Sequence, residues 1–449
     1  MNPSADSATL ASAPGRLPLV GHAWQLVVRP LDFLRGQRRA GDIAAMRLGR
    51  ERMYLINNPE LVRRVLTVQR QDFVKGGPIY EALRVLQGNG LALSDGDFNR
   101  RQRRFIQPTL NFSRHPAHIK VIRDAAAEIA GSWTAGRGLR ADQEMLRLSS
   151  TIMARCLFSD ALGERDNAEL RRCLPVLVKG TGLRALIPVP WLHRLPIPAN
   201  RRFGRTLVTV HDLTDRLIAE RRRAGRDCGD VLSALLAAQD QETGESMPDQ
   251  QIHDEVLTML SVATETTGQA LSWILQILSR RPDIDAQVHA ELSLVLGVED
   301  VTFAHLAQLR RLHALIREAL RVYPPIWLFT RLVAADTELG GQVLPAGSTV
   351  VISPYANHHD AELFPSPEQF DPARWLADEQ TTAEGAFIPF GAGPRRCIGE
   401  TFAMAEMAIA LATILRLWRM APVSTRQRRP QAFFTLGPGP LPLTATPRQ

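Results

Sequence analysis

The longest stretch of helical periodicity starts after Pro248. In DQQIHDEVLTMLSVATETTGQALSWILQILSRR, apolar residues recur every three or four positions until Pro282 ends the pattern. Roughly thirty residues at ~1.5 Å each predict a helix of about 50 Å. A second helix, RLHALIREALRVY, ends at Pro324-Pro325, and a third, strongly apolar, begins just after Cys397. The polar, arginine-rich NRRQRRFIQP predicts a helix following GNGLALSDGDF. Strands are expected at DIAAMRLG and RMYLINN. Extended pieces are expected in RLVAADTELGGQVLPAGSTVVISP, with reversals at Gly340-Gly341 and at Pro345-Ala346-Gly347. Helices therefore dominate, with small sheets attached. The first twelve residues, MNPSADSATLAS, are small and polar and read as a disordered tail, leaving 13–449 as one domain without internal repeats.

Composition supports a large packed core: 45% of the 449 residues are hydrophobic and 22% charged. The net charge is +8, and only Lys75, Lys120 and Lys179 are lysines, so the excess is almost all arginine. The arginine clusters are scattered and aromatic content is only 6%, which argues against nucleic acid and for an acidic protein partner. Cys156, Cys173, Cys228 and Cys397 show no Cys-x-x-Cys spacing, as expected in a reducing compartment. No signal-like segment and no membrane-spanning apolar run is seen, so a cytoplasmic protein without a membrane anchor is expected.

Cys397 keeps unusual company. It sits in Phe390-Gly391-Ala392-Gly393-Pro394-Arg395-Arg396-Cys397-Ile398-Gly399, directly ahead of the apolar helix. Glycines permit tight turns and close backbone approach to a flat ligand, and a helix starting after Cys397 aims its amide dipoles at the sulfur. Both favour a thiolate, which serves as nucleophile or as metal ligand; no histidine base is encoded nearby, and the glycine platform suits haem.

The pattern Phe-x-x-Gly-x-Arg-x-Cys-x-Gly resembles the haem-binding loop of the cytochrome P-450 monooxygenases, and the likeness extends from GRLPLVGH to FFTLGPGPLPL. It implies a single triangular, mainly α domain with small β-sheets, holding haem b (iron protoporphyrin IX) with Cys397 as the axial ligand of the iron. Phe390, Gly391, Gly393, Arg395 and Gly399 would shape the loop. Glu318 and Arg321 resemble the family's Glu-x-x-Arg, which Arg374 in FDPARW would close into a structural trio. Val262-Ala263-Thr264-Glu265-Thr266-Thr267 is similar to the oxygen-activating segment, with Glu265 and Thr266 as the catalytic acid and alcohol. Ala263, counted with the haem contacts, stands where glycine is usual. A threonine within a helix can bond back to the carbonyl four residues earlier and loosen the ladder there. Arg103 and Arg331, with Arg395, resemble the cations that meet haem propionates, while Asn99, beside Phe98, stands where tryptophan or histidine is usual.

The implied activity is O2-dependent hydroxylation of a hydrophobic small molecule. No flavin or iron–sulfur module is encoded, so a ferredoxin and its reductase are expected to supply two electrons to the monomer. Arg100, Arg101 and Arg104 are expected to steer that acidic partner. Gly180-Thr181-Gly182-Leu183-Arg184-Ala185 fits a dinucleotide pattern but leads into Pro188 and Pro190 and is set aside. His358 and His359 lack a third metal ligand at suitable spacing. The family's pocket segments place Leu91, Val262, Ile326, Trp327, Leu328, Phe433 and Phe434 around the substrate. That apolar lining, with the likeness to terpene-oxidising bacterial members, points to a cyclic sesquiterpene or similar isoprenoid of secondary metabolism. A fatty acid paired with Arg84 and a peroxide-driven peroxygenase are the alternatives. A haem carrier or sensor is a third, which the Glu265-Thr266 pair argues against.

Overall fold

The computed structural model describes residues 12–49, 51–111, 117–159, 163–187, 189–240, 242–376, 385–426 and 428–448. The expected tail lies outside them apart from Ser12, as does Pro188. Two compact units are built from these residues.

The first unit comprises the described residues up to Gly77, Ile326–Phe370 and the described part of Glu379–Cys397. Its centre is a five-stranded sheet in the order Ile43–Leu48, Glu51–Ile56, Thr349–Ile352, Phe329–Val333 and Phe73–Val74. All pairs are antiparallel except the second with the third, where Met53 faces Thr349. Both strands expected near the N-terminus are present. Asn58 starts helix Pro59–Leu66 by accepting the Glu60 amide at 2.9 Å, with Pro59 in the first turn, where its missing N–H costs nothing. This helix buries Leu61, Val62, Val65 and Leu66 with Tyr54, Ile56, Phe73, Val350 and Ile352, an apolar core beneath the cysteine loop. Gly340 and Gly341 take left-handed φ values of +58° and +75°, turning the chain between strands Thr337–Leu339 and Gln342–Leu344 as expected.

The second unit is mostly helical. Its longest element is the 32-residue helix Asp249–Arg280, fenced by the two prolines as expected. Trp273 anchors it: the indole is fully buried, stacks on Tyr323 at 3.7 Å, and donates to the Leu436 carbonyl at 3.0 Å. Helix Ala141–Phe158 packs tightly against it, because a Cβ on Gly268 would fall 2.8 Å from the Leu146 side chain and 3.1 Å from its Cα. Helices Arg310–Val322 and Glu400–Leu417 occupy the expected positions. The arginine-rich helix starts earlier than its polar run suggested, at Gly96, because Asp95 caps the Gly96 amide. Gly180–Ala185 lies inside helix Glu164–Leu186, so the glycines close no strand-to-helix phosphate loop. No helix among the described residues is long and apolar enough to cross a membrane.

Candidate haem-binding and oxygen-activating residues

In the first unit the cysteine loop is held by its backbone. Gly391 and Gly393 adopt φ of +70° and +68°, a region strained for any residue with a side chain. A Cβ on Gly393 would lie 2.2 Å from the Leu66 carbonyl oxygen, whereas one on Gly391 would meet nothing within 4 Å. The loop is thus pressed onto the helix below at one glycine and borders open space at the other. The Cys397 N–H donates to the carbonyl of half-buried Phe390 at 2.9 Å, closing the loop and leaving the thiol exposed. Arg395 donates to the Phe73 carbonyl at 2.5 Å, tying the loop to the sheet's edge strand. Arg331, 6% exposed, donates to the Thr330 carbonyl at 2.7 Å and lies 5.1 Å from the centre of the Phe329 ring. Trp327 is buried, and Ile326 and Leu328 are half-buried. His358 is fully buried and accepts the Ile388 amide at 3.0 Å, and His359 bonds the Tyr355 carbonyl at 2.9 Å; both serve the core.

In the second unit, the Thr266 hydroxyl donates to the carbonyl of Val262, four residues back, at 2.9 Å, and lies 3.5 Å from that of Ala263. Glu265 accepts from Thr435 Oγ1 at 2.9 Å and from Gln269 Nε2 at 3.1 Å. Sequence reasoning missed both donors. Gln269, four residues on along the helix, was findable by spacing; Thr435 carried no local signal. The Glu318 trio is brought together. Its carboxylate accepts from Arg321 at 2.8 and 2.9 Å and from Arg374 at 3.1 Å, and also from the Trp375 indole at 2.8 Å and the Asp371 amide at 3.0 Å. Gly399 caps helix Glu400–Leu417 at φ −88°, a value any residue adopts.

Asn99 is buried, and its amide donates to the Leu91 and Ser94 carbonyls at 3.0 and 3.1 Å. It therefore braces the Leu91–Ser94 loop. Arg103 is half-buried on the same helix, and the Leu91 amide donates to buried Glu255 at 3.0 Å. Phe433 is 37% exposed and packs where Gly182 leaves room, since a Cβ there would come within 2.6 Å of its ring. Phe434 and Val262 are half-buried. Arg84 is engaged by Asn89 Oδ1 at 2.9 Å and by Glu81 at 3.5 Å. The arginines expected to steer an acidic partner are ion-paired: Arg100 with Asp97, Arg101 with Asp240 and Glu245, Arg104 with Asp240 and Glu242.

The chain is similar to known proteins over nearly its whole length. The family model described as Cytochrome P450 matches residues 12–444. The chain is 43% identical to cyclooctatin synthase of Streptomyces melanosporofaciens, over 97% of this chain and 95% of that protein. It is 42% identical to cyclooctat-9-en-7-ol 5-monooxygenase of the same organism, over 98% and 96%. It is 38% identical to pentalenene oxygenase of Streptomyces avermitilis, over 95% and 94%. The crystal structure of the cytochrome P450DA heme domain superposes with a TM-score of 0.88 at 26% identity, covering 98% of both chains. The residues present fit haem: the one exposed cysteine is a soft sulfur donor, presented by a glycine loop with open space beside Gly391. With a family match over nearly its whole length, the chain belongs to the cytochrome P-450 family and is a monooxygenase with haem as its cofactor.

Proposed function

We propose that this protein hydroxylates a cyclic terpene in the cytoplasm, receiving electrons from a separate ferredoxin and reductase. The observation that carries the site reading is the exposed Cys397, fixed by the bond from its own amide to Phe390 and preceded in the loop by two left-handed glycines, Gly391 and Gly393. Bound haem supplies the reductive activation of dioxygen. Cys397 would hold the group as a thiolate, and Arg103, Arg331 and Arg395 are the cations assigned to its propionates. Thr266 would hold a proton at its Oγ1 for delivery, and Glu265 would replace that proton once Thr266 has given it up. The two hydrogen bonds holding Glu265 support this assignment, because a proton donor must keep one position. The apolar side chains of Leu91, Val262, Trp327 and Phe434 suit a ligand without charge. The relatives named for cyclooctat-9-en-7-ol and pentalenene support the terpene class. Arg84, already bonded to Asn89 and Glu81, is poorly disposed to take a fatty-acid carboxylate.

Three measurements test the proposal. Titration with cyclic terpene hydrocarbons and their alcohols should shift the haem absorbance band. Oxygenated product should form with NADH, ferredoxin and reductase and not with peroxide alone. Cys397→Ser should abolish the thiolate-type spectrum of the reduced, carbon monoxide-treated protein, since an alkoxide is a poor substitute for a soft thiolate. A serine variant that kept that spectrum would remove Cys397 as ligand. Response to long-chain fatty acids alone would overturn the substrate class.

A further inference from the structure

The connection between helices Glu164–Leu186 and Pro198–Ala224 carries a surface that the proposed reaction does not use. Between Glu169 and Asp212 the sequence has no acidic residue. Trp191, on the short helix Pro190–Arg194, is 66% exposed, and Leu183, Ile187, Leu195 and Ile197 are between 38% and 44% exposed. In the same stretch Lys179, Arg194, Arg201, Arg202 and Arg205 are exposed, and none has an acid within ion-pair distance among the described residues. Exposed arginines elsewhere are paired: Arg100 with Asp97, Arg216 with Asp166, Arg222 with Asp249. Apolar side chains and uncompensated cations therefore share one stretch of chain.

That stretch is ordered despite its exposure. The side-chain amide of Asn200 donates to the Leu192 and Leu195 carbonyls at 3.0 and 2.9 Å, and His193 Nε2 lies 2.6 Å from the Ile187 carbonyl oxygen. The Leu192 amide donates to the Val189 carbonyl at 3.1 Å. Prolines at 188, 190, 196 and 198 bring no N–H at all. Several backbone polar groups are thus satisfied from within or are absent. This suits a segment that leaves water, because orphan backbone groups are costly where no water can meet them.

Unpaired cations call for an anionic partner, and an exposed tryptophan among branched aliphatics calls for an apolar one. An anionic lipid surface supplies both, with headgroup charge for the arginines and the acyl boundary for the indole. A second copy of this chain would set cation against cation, and an acidic protein face answers the cations but not the apolar side chains. We propose that the stretch 179–205 is a reversible docking face for anionic membrane. It would hold at the lipid surface a protein whose described residues include no helix able to cross it. An uncharged hydrocarbon substrate partitions into that phase. This purpose rests on the terpene reading, whereas the binding itself does not.

The test floats the haem-loaded full chain with vesicles of phosphatidylcholine alone or mixed with phosphatidylglycerol, with no substrate present. Wild type should bind the mixed vesicles at low salt and lose affinity as salt rises. Changing Arg201, Arg202 and Arg205 together to glutamine should weaken that binding by about a hundredfold, roughly fivefold per charge near the surface. Trp191→Ser should weaken it several-fold with haem content and thermal stability unchanged, as expected of an exposed position. Lipids brominated in the acyl chain should quench the emission of wild type and quench Trp191→Phe less. Wild type that ignores the mixed vesicles at low salt would overturn the inference, as would a triple variant that binds like wild type or equal quenching in Trp191→Phe. Binding to soluble poly-glutamate as tight as to the mixed vesicles, with both unchanged in Trp191→Ser, would assign the face to an acidic protein instead. Since no substrate is present, the two readings fail separately. A protein that binds vesicles and gives no spectral response to terpenes defeats the substrate reading alone, and one that responds to terpenes and ignores vesicles defeats this inference alone.

Discussion

The hydroxyl of Thr435 donates to Oε1 of Glu265 at 2.9 Å, joining residues 170 positions apart in the chain. Thr435 is itself buried, so the contact has little competition from water. A carboxylate gripped by Thr435 from outside its helix and by Gln269 from within it keeps one rotamer. Thr435→Val preserves shape and removes the donor. Product per NADH should fall about fivefold, the equivalent of roughly 1 kcal/mol of lost hydrogen bonding, with haem content unchanged. Coupling equal to wild type would dismiss Thr435 as a support of the acid.

A second prediction concerns the arginines of helix Gly96–Ile106. Long-range steering needs uncompensated charge, yet Arg101 and Arg104 converge on Asp240, whose side chain is fully buried, and each also meets a second acid. Replacing both with glutamine should leave the salt dependence of ferredoxin-driven reduction unchanged and lower thermal stability, since Asp240 loses both cations and keeps only neutral donors such as the Glu242 amide. A flattened salt dependence in the double variant would restore these arginines as the docking surface.

Much of this was legible in the chain, for reasons that differ from residue to residue. Pro248 and Pro282 bound the long helix because proline restricts the backbone locally. Glu318 and Arg321 were readable because three positions on a helix face one another. The cysteine loop was readable because its glycines answer a backbone demand, visible in the left-handed φ of Gly391 and Gly393. What could not be read were the partners supplied from far along the chain. Asp240 cancels Arg104 from 136 positions away, Ser149 meets Glu406 across 257, and the Trp375 indole completes the cage on Glu318 across 57. Periodicity reports which face is buried and is silent on which polar groups meet there.

The Glu318 cage sets a third expectation. Glu318 and Arg321 are both 0% exposed, and the carboxylate accepts five hydrogen bonds. Glu318→Gln strips the negative charge and leaves the Arg321 guanidinium buried without it, at a cost of about 3 kcal/mol or more. Arg374→Met, at a partly exposed position, removes one of the five bonds to Glu318 and leaves the buried ion pair with Arg321 in place, so it should cost less. Urea midpoints of the two variants check the order. Equal destabilisation would mean that Arg321 finds another counter-charge on relaxation.

The last prediction concerns acid. His253, nearly buried on the long helix, has its Nδ1 2.5 Å from Asp215 Oδ1 and its Nε2 2.7 Å from Nδ1 of His211, on helix Pro198–Ala224. In the tautomer that gives the Nδ1 proton of His253 to Asp215 and leaves its Nε2 to accept, His211 donates from Nδ1. Burial holds the His211 pKa below the usual histidine value, and His253 lowers it further, while Asp215, Asp254 and Asp212 oppose the shift. A group depressed in the folded state binds fewer protons there than in the unfolded chain. Its contribution is therefore complete above the unfolded value of about 6.5 and is lost as pH falls through the folded value. The melting temperature should drop between pH 7 and pH 5. In His211→Gln, where the amide still donates to His253 but position 211 cannot titrate, the drop should be smaller. Parallel curves for the two proteins would show that the acid sensitivity arises elsewhere.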